Sequence, residues 1–344
     1  MLKDRTETLV LESNPQMFIH LSGPDPRINP SSVLVVLVHG FPELGYSWRY
    51  QWDKLAGLGY SVCSPDMRGY GKSWVPPRVE DYTFEQTTLD LKNLVYKLNR
   101  QQAVFVGHDF GGSVVWSMGL HRPEMCLGVV GINTPLLLQL GGDQGPMATL
   151  AQLPSHEVGH TDYQVYFQLP LVGERELNAN PERTMRAYFR SQISGNREMD
   201  RSNMRLGMRT NKCRDVGVLS SCPKDIPLDP LWSPIELNKY VESFAKTGFP
   251  LNWYRAWDLN WKWDQQLPEG IQIPVPCLMI SAEYDAVLSP QLALGMQQYF
   301  ALELEHRQVK CGHWTMIECK HELNDILAEF LTRQFPTTTA RTKL

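Results

Sequence analysis

The chain has 344 residues, 42% hydrophobic and 20% charged, with a formal net charge of −4. That is globular composition, not disorder, and the length allows one large core plus an inserted or appended subdomain. With both signs of charge mixed and no basic stripe or acidic tract, nucleic acid is not an expected partner and small molecules are.

Thr8 to Glu12 and Gln16 to His20 are predicted as a strand pair turning at Asn14-Pro15. Val33 to Val38 is an unbroken branched apolar run, as in a central parallel strand buried on both faces. Tyr60 to Ser64 is a shorter strand ending at Pro65-Asp66. Thr83 opens a helix in which Phe84, Leu91, Leu94, Val95 and Leu98 recur at helical spacing, with Asp81 and Glu85 near its start. Ala103 to Val106 is the next buried strand, followed by a glycine-rich turn and a helical stretch from Ser113 to Leu120. Gly128 to Ile132, Val275 to Ile280 and Glu305 to Val309 are the remaining strands. Strands alternating with helices imply a mostly parallel sheet flanked by helices. Residues 136–264 break the rhythm, being rich in Pro, Tyr and Trp, and read as a helical lid (cap) inserted between sheet strands. The core is then residues 1–135 and 265–344. Trp253, Trp257 and Trp261 lie at i, i+4 and i+8 and are expected to be a packing stripe on one helix.

The central motif is Gly107-His108-Asp109-Phe110-Gly111-Gly112, directly after a buried strand and before a helix. Serine hydrolases place Gly-x-Ser-x-Gly at such a turn, where a sharp bend presents the nucleophile above the sheet. Here the middle residue is Asp109, a carboxylate already ionised at neutral pH that needs no base to activate it. It would attack carbon and form an alkyl-enzyme ester. His39-Gly40-Phe41-Pro42-Glu43 follows the third strand, where this fold class supplies one oxyanion-hole amide. The Phe41 and Phe110 N–H groups are therefore the expected donors to the anion formed when water attacks the ester. Asp285 and His313 each follow a strand, so the chain order is nucleophile, acid, histidine, which is the α/β-hydrolase order. His313 would act as general base on water, with Asp285 fixing its tautomer. Asp66 to Ser73 reads as a structural turn with an internal ion pair, and His108 as a packing or supporting residue.

Seven cysteines, at 63, 126, 213, 222, 277, 311 and 319, show no Cys-x-x-Cys spacing and read as reduced, buried thiols of an intracellular protein. No ligand cluster or phosphate loop is visible, so neither a metal nor any other cofactor is expected. Met1 to Thr8 lacks the apolar stretch of a signal peptide, and the longest apolar run is too short to span a bilayer. These features favour the cytoplasm. The terminal Thr342-Lys343-Leu344 is a distant relative of the peroxisomal tripeptide and is read as a solvated tail.

Taken together, the chain resembles the soluble (cytosolic) epoxide hydrolases, in their catalytic domain only. The resemblance runs through His39 to Glu43, Asp66 to Ser73, Gly107 to Gly112, Gly131 to Pro135, Asp162 to Gln168, Leu251 to Tyr254, Ala282 to Asp285 and Cys311 to Thr315, in the family's order. It implies a cofactor-free enzyme with an epoxide and water as its partners and a vicinal diol as product. Lid tyrosines that hold the epoxide oxygen would be Tyr163 and Tyr254, phenols that stay protonated at neutral pH. Phe41, Phe110, Gln164 and Trp314 would line the pocket, and the aromatic lid suggests lipid or aryl epoxides. Phe110 stands where many relatives carry Trp, which leaves the backbone amide intact but alters the pocket wall. The rivals are a haloalkane dehalogenase, which would want side-chain halide donors that Phe41 and Phe110 lack, and a non-catalytic ligand receptor on the same fold.

Overall fold

The computed structural model describes residues 4–12, 15–138, 144–154, 161–191, 213–220 and 222–337. One sheet contains eight strands: β1 (Arg5–Val10), β2 (Gln16–Ser22), β3 (Leu34–Val38), β4 (Ser61–Pro65), β5 (Ala103–His108), β6 (Cys126–Ile132), β7 (Cys277–Ala282) and β8 (Glu305–Val309). Their order is β1-β2-β4-β3-β5-β6-β7-β8. The β1–β2 and β2–β4 pairs are antiparallel, and every other pair is parallel.

The apolar run of β3 is buried along its whole length, as a strand between two parallel neighbours with both faces covered must be. The first strand starts at Arg5, ahead of the expected Thr8. Its polar residues carry no apolar signal; pairing with β2, from Arg5 opposite Leu21 to Val10 opposite Gln16, makes them a strand. Of the expected turn, Asn14 lies outside the described residues, as does the terminal Thr342-Lys343-Leu344.

Helices α1 (Arg49–Gly57), α2 (Phe84–Lys97) and α3 (Phe110–His121) alternate with the strands. Thr83 caps α2 by accepting from the Gln86 N–H, which satisfies one of the helix's free amides. Between β6 and β7 the described residues form only helix and loop: α4 (Pro146–Ala151), α5 (Asp162–Tyr166), α6 (Val172–Asn178), α7 (Pro181–Tyr188), α8 (Cys213–Val216), α9 (Pro234–Thr247), α10 (Asn252–Arg255) and α11 (Trp257–Asp264). This is the inserted cap. The core then closes with α12 (Thr315–Glu318) and α13 (Lys320–Gln334), the latter packing on α1.

The tryptophan stripe falls on two short helices and not on one, because the helical run is interrupted at Ala256. Trp253 and Trp257 still share a target: both rings pack on Phe110 of the core, at centroid distances of 5.6 and 5.7 Å. Polar ties add to this contact. Glu236 of the cap accepts from Arg49 Nε and Tyr50 Oη, both at 2.8 Å, and Asn260 Oδ1 accepts from the Phe84 N–H at 2.7 Å. Trp253 Nε1 donates to the Arg68 carbonyl at 3.1 Å.

The Asp66 to Ser73 turn is structural, but its ion pair is not internal. Asp66 accepts from the backbone amides of Gly45 and Lys72. Arg68 reaches out of the turn to Asp90 on α2, with Nε 2.7 Å from Oδ2. Burial explains the choice, since a buried guanidinium needs a buried carboxylate and the Asp66 oxygens already hold amides.

The turn from β5 into α3 takes a single residue. Asp109 alone absorbs the change of direction, at φ 53° and ψ −124°. The helix therefore starts at Phe110, three residues before the sequence suggested, and its first turn is pressed against the sheet. A Cβ on Gly111 would sit 2.1 Å from the Val38 carbonyl oxygen, and one on Gly107 would sit 2.1 Å from the Gly111 oxygen. Since both obstacles are backbone, neither can swing aside. Gly111→Ala is expected to destabilise the fold by about 1–3 kcal/mol, towards the upper end. The change would be read as a lower urea midpoint at an unchanged m value.

Candidate active site

The chemistry-bearing residues of the core lie beyond the carboxyl ends of neighbouring parallel strands, where open α/β sheets place their ligands. Phe41 follows β3, Asp109 follows β5, Asn133 follows β6, Asp285 follows β7 and His313 follows β8. The sheet order makes these strands adjacent, so residues far apart in sequence share one site.

Asp109 is half-buried, and its two carboxylate oxygens face different partners. The Phe41 N–H donates to Oδ1 at 2.9 Å, and the Phe110 N–H also reaches the carboxylate. Gly40 makes the approach possible, since a Cβ there would lie 2.4 Å from Asp109 Cβ. Oδ2 faces His313, whose Nε2 is 3.7 Å away. Thr134 Oγ1 donates to the Asp109 carbonyl at 2.7 Å and fixes the backbone of the turn.

His313 is anchored through its other nitrogen, with Nδ1 2.8 Å from Asp285 Oδ2. An ionised carboxylate only accepts, so Nδ1 carries a proton and Nε2 is the nitrogen facing Asp109. Asp285 is itself held by the N–H groups of Val287 and Leu288 on Oδ1, and by Asn133 Nδ2 on Oδ2 at 2.8 Å. Asn133 Nδ2 also donates to the His313 carbonyl at 3.0 Å, and Asn133 Oδ1 accepts from Thr315 Oγ1 at 2.8 Å. Asn133 sits at φ 63°, a left-handed conformation that Asn tolerates better than most residues.

A second buried pair lies beneath this one. His108 Nδ1 is 2.8 Å from Glu43 Oε2, and His108 Nε2 is 2.8 Å from the His313 carbonyl oxygen. Glu43 Oε2 also accepts from the Gly40 N–H at 3.0 Å. His108 is thus a supporting residue, linking the loop after β3 to the one after β8.

Burial and neighbouring charges set the acid–base properties. For Asp109, burial pushes the carboxyl above its ordinary value, against the pull of His313, His108 and the two amides. For Asp285, burial is outweighed by His313 and the local amides, which hold it at about 2. Burial opposes charge on His313, but Asp285 and then Asp109 prevail and raise the imidazole to about 9. Burial works against the Glu43 charge too, yet His108 and the Gly40 amide keep it below the usual carboxylate range.

Over the carboxylate sits the cap. Tyr163 on α5 and Tyr254 on α10 are both buried, with ring centroids 5.9 Å apart and nearly perpendicular. Burial pushes both phenols well above their ordinary value, so both remain protonated donors. Gln164 Nε2 donates to Tyr163 Oη at 3.2 Å. Tyr254 packs edge-on against Phe110 at 4.8 Å and Phe41 at 5.3 Å. Trp314 is buried 4.8 Å from the His313 ring, and its Nε1 donates to the Tyr188 carbonyl at 3.0 Å. The geometry thus brings together all the residues singled out from the sequence: Asp109, Asp285, His313, Tyr163, Tyr254, Phe41, Phe110, Gln164 and Trp314.

Sequence reasoning gave no role to Asn133, Thr134, Thr315 or Glu43. Asn133 and Thr134 stand in the Gly131 to Pro135 match and Glu43 in the His39 to Glu43 match, so position was the available signal. Among the described residues no group of three or more His, Cys, Asp or Glu side chains could hold a metal ion. No helix among them is long and apolar enough to cross a membrane.

The alpha/beta hydrolase fold family matches residues 33–319. The chain is 37% identical to bifunctional epoxide hydrolase 2 of Rattus norvegicus, over 91% of this chain and 54% of that protein. It thus spans about half the length of the mammalian relatives it matches. Epoxide hydrolase A of Mycobacterium tuberculosis is 35% identical, over 88% of this chain and 91% of that protein. The crystal structure of epoxide hydrolase A from Mycobacterium thermoresistibile superposes with a TM-score of 0.82 at 30% identity, covering 96% of this chain and 98% of that one. An epoxide hydrolase from an endophytic Streptomyces gives 0.84 at 26% identity, covering 97% of both.

The raised imidazole can be measured directly. In the free protein His313 is expected to titrate near pH 9 by NMR of labelled histidine. Since the Asp109 charge helps to hold its proton, Asp109→Asn is expected to move the midpoint to lower pH. An unchanged midpoint would mean that the two groups do not interact.

Proposed function

The chain belongs to the α/β-hydrolase-fold epoxide hydrolases, and from that premise we propose that it converts epoxides to vicinal diols through an ester on Asp109. The observation that carries the reading is the division of labour on one carboxylate. Oδ1 accepts from the Phe41 amide while Oδ2 faces His313.

In the proposed first step Oδ2 attacks an epoxide carbon, and the ring C–O bond breaks with its electron pair passing to oxygen. Tyr163 and Tyr254 donate to that oxygen as its charge develops, and one of them supplies the proton. In the second step water attacks the ester carbonyl carbon. Its negative charge then develops on Oδ1, which already accepts from the Phe41 amide, so that donor needs no rearrangement. His313 Nε2 takes the water's proton, Asp285 steadies the imidazolium, and collapse of the anion breaks the acyl C–Oδ2 bond, the diol leaving with Oδ2 and the imidazolium proton. The regenerated carboxyl gives its proton back to the tyrosinate, so the net reaction is epoxide plus water to diol.

Esterification also prepares the base. A His313 raised to about 9 would be protonated at neutral pH and unfit to accept a proton. Forming the ester removes the Asp109 charge, one of the charges that hold that proton in place. The base is thereby released when it is needed. Hydrolysis of the ester is accordingly expected to accelerate with rising pH until His313 is neutral. Alkylation needs Asp109 ionised and is expected to fall as pH drops through the raised carboxyl value.

Lipid or aryl epoxides are the proposed substrate class, because Phe41, Phe110, Phe167, Phe249, Tyr188 and Tyr254 make the surroundings aromatic. The assay is diol formation, with halide release from haloalkanes as the control; halide release without diol would favour the dehalogenase reading.

Two experiments test the mechanism. Single turnover with excess enzyme in labelled water is expected to give unlabelled diol and to leave label on Asp109, and His313→Gln is expected to accumulate protein plus one substrate mass. Labelled diol in the first turnover without an adduct would mean that water attacks the epoxide directly. Separately, Tyr163→Phe and Tyr254→Phe are each expected to slow alkylation by roughly 10²–10³, and the double substitution nearly to abolish it. A double variant with wild-type single-turnover rates would remove both tyrosines from the mechanism.

A further inference from the structure

The buried tyrosines of this protein mostly have hydrogen-bond partners. Tyr60 donates to the Phe335 carbonyl, Tyr82 to that of Pro76, and Tyr166 to Glu176, while Tyr240 meets Ser47. Tyr188 differs. It ends α7, is 4% exposed, and its Oη has no hydrogen-bond partner among the described residues. Tyr70 also lacks a partner, but its ring is enclosed by His39, Phe244 and Trp253. An unpaired buried hydroxyl is unfavourable, so one held beside the candidate active site calls for a partner the free protein lacks.

Tyr188 stands where the cap meets both loops of the candidate active site. Its ring packs edge-on against Phe41 at 5.8 Å, and Tyr254 packs on the same Phe41 ring at 5.3 Å. Its carbonyl accepts from Trp314, the neighbour of His313. The phenol is therefore fixed in place from its own backbone. Burial, followed by Tyr163, pushes its hydroxyl well above the ordinary phenol value, and Tyr188 in turn acts on Tyr254. Tyr254 meets Tyr163 at 5.9 Å and shares Phe41 with Tyr188, so the three phenols are neighbours, and Tyr188 remains a protonated donor.

We propose that Tyr188 Oη is a third donor of the substrate pocket, which binds a second, neutral oxygen of the epoxide's own chain and so determines specificity. The inference rests on the epoxide reading above. Charge selects the acceptor: Glu176 also bears on Tyr188, and its carboxylate is already held by Tyr166 and the amides of Val218 and Leu219. A second negative charge would be repelled there, whereas an ether, hydroxyl or carbonyl oxygen would not. The preferred substrates are then epoxides with another oxygen function close to the ring, in preference to plain hydrocarbon epoxides.

The test uses dialkyl epoxides in which one methylene is replaced by an ether oxygen at successive distances from the ring. The ether only accepts, and its size hardly differs from the methylene. Wild type is expected to favour one ether isomer over the hydrocarbon in kcat/KM. Tyr188→Phe, which keeps the ring, is expected to reduce that preference by roughly tenfold, the loss falling on the ether isomer more than on the hydrocarbon epoxide. With no internal hydrogen bond to lose, the variant's Tm should not fall. A lower Tm, an equal loss on every substrate, or a wild type indifferent to ether position would each overturn the proposal. Failure of wild type to form diol from any member would refute the epoxide reading itself, and this inference with it.

Discussion

The one-residue turn at Asp109 is the constraint on which the rest of the site depends. A non-glycine residue at φ 53° and ψ −124° lies outside the comfortable regions of backbone space, at a cost of order 1–3 kcal/mol. Such a conformation persists only where its surroundings leave no alternative. Here the surroundings are backbone: Gly107 and Gly111 let α3 press on β5 and β3 until no side chain fits between them. The compression aims the Asp109 side chain away from the sheet and brings the Phe110 amide to its carboxylate. It also lets the loop after β3 come close enough for the Phe41 amide to do the same.

Phe41 joins the two parts of the molecule. Its amide belongs to the carboxylate, while its ring is received by Phe167, Tyr188, Phe249 and Tyr254 of the cap. Burying such a ring contributes roughly 1.5–3 kcal/mol. The same contact that docks the cap therefore sets the distance between the lid phenols and the carboxylate. On the other side Trp253 and Trp257 bear on Phe110. The two residues whose amides face Asp109 are thus also the two that carry the cap.

Beneath this aromatic layer, two buried acids and two buried histidines form one connected network. Asn133 ties Asp285 to the His313 carbonyl, which also meets His108, and His108 leads to Glu43 and the Gly40 amide. Each buried charge is uneconomical alone and tolerable only with its partners in place. The network therefore couples the loops after β3, β6, β7 and β8 into one rigid floor. Preorganisation of this kind lets hydrogen-bond donors act on a developing charge without first rearranging.

Local features of the sequence determined most of this. The branched run of β3, the glycines around Asp109 and the strand-end positions of Asp285 and His313 follow from steric and periodic rules that operate over a few residues. Those rules were enough for the sheet, the inserted cap and the candidate acid, base and nucleophile. Tertiary structure decided what depends on contacts between distant segments. Pairing with β2 made a strand of the polar Arg5, Thr6 and Glu7, and burial sent Arg68 to Asp90 and not to its own turn. The interruption at Ala256 splits α10 from α11, although the helical repeat of the tryptophans runs straight through it. Asn133 and Glu43 gained their places because strand order set them beside residues far away in the chain. Whether a phenol such as Tyr188 has a hydrogen-bond partner depends on every segment packed around it, and no spacing in the sequence encodes that.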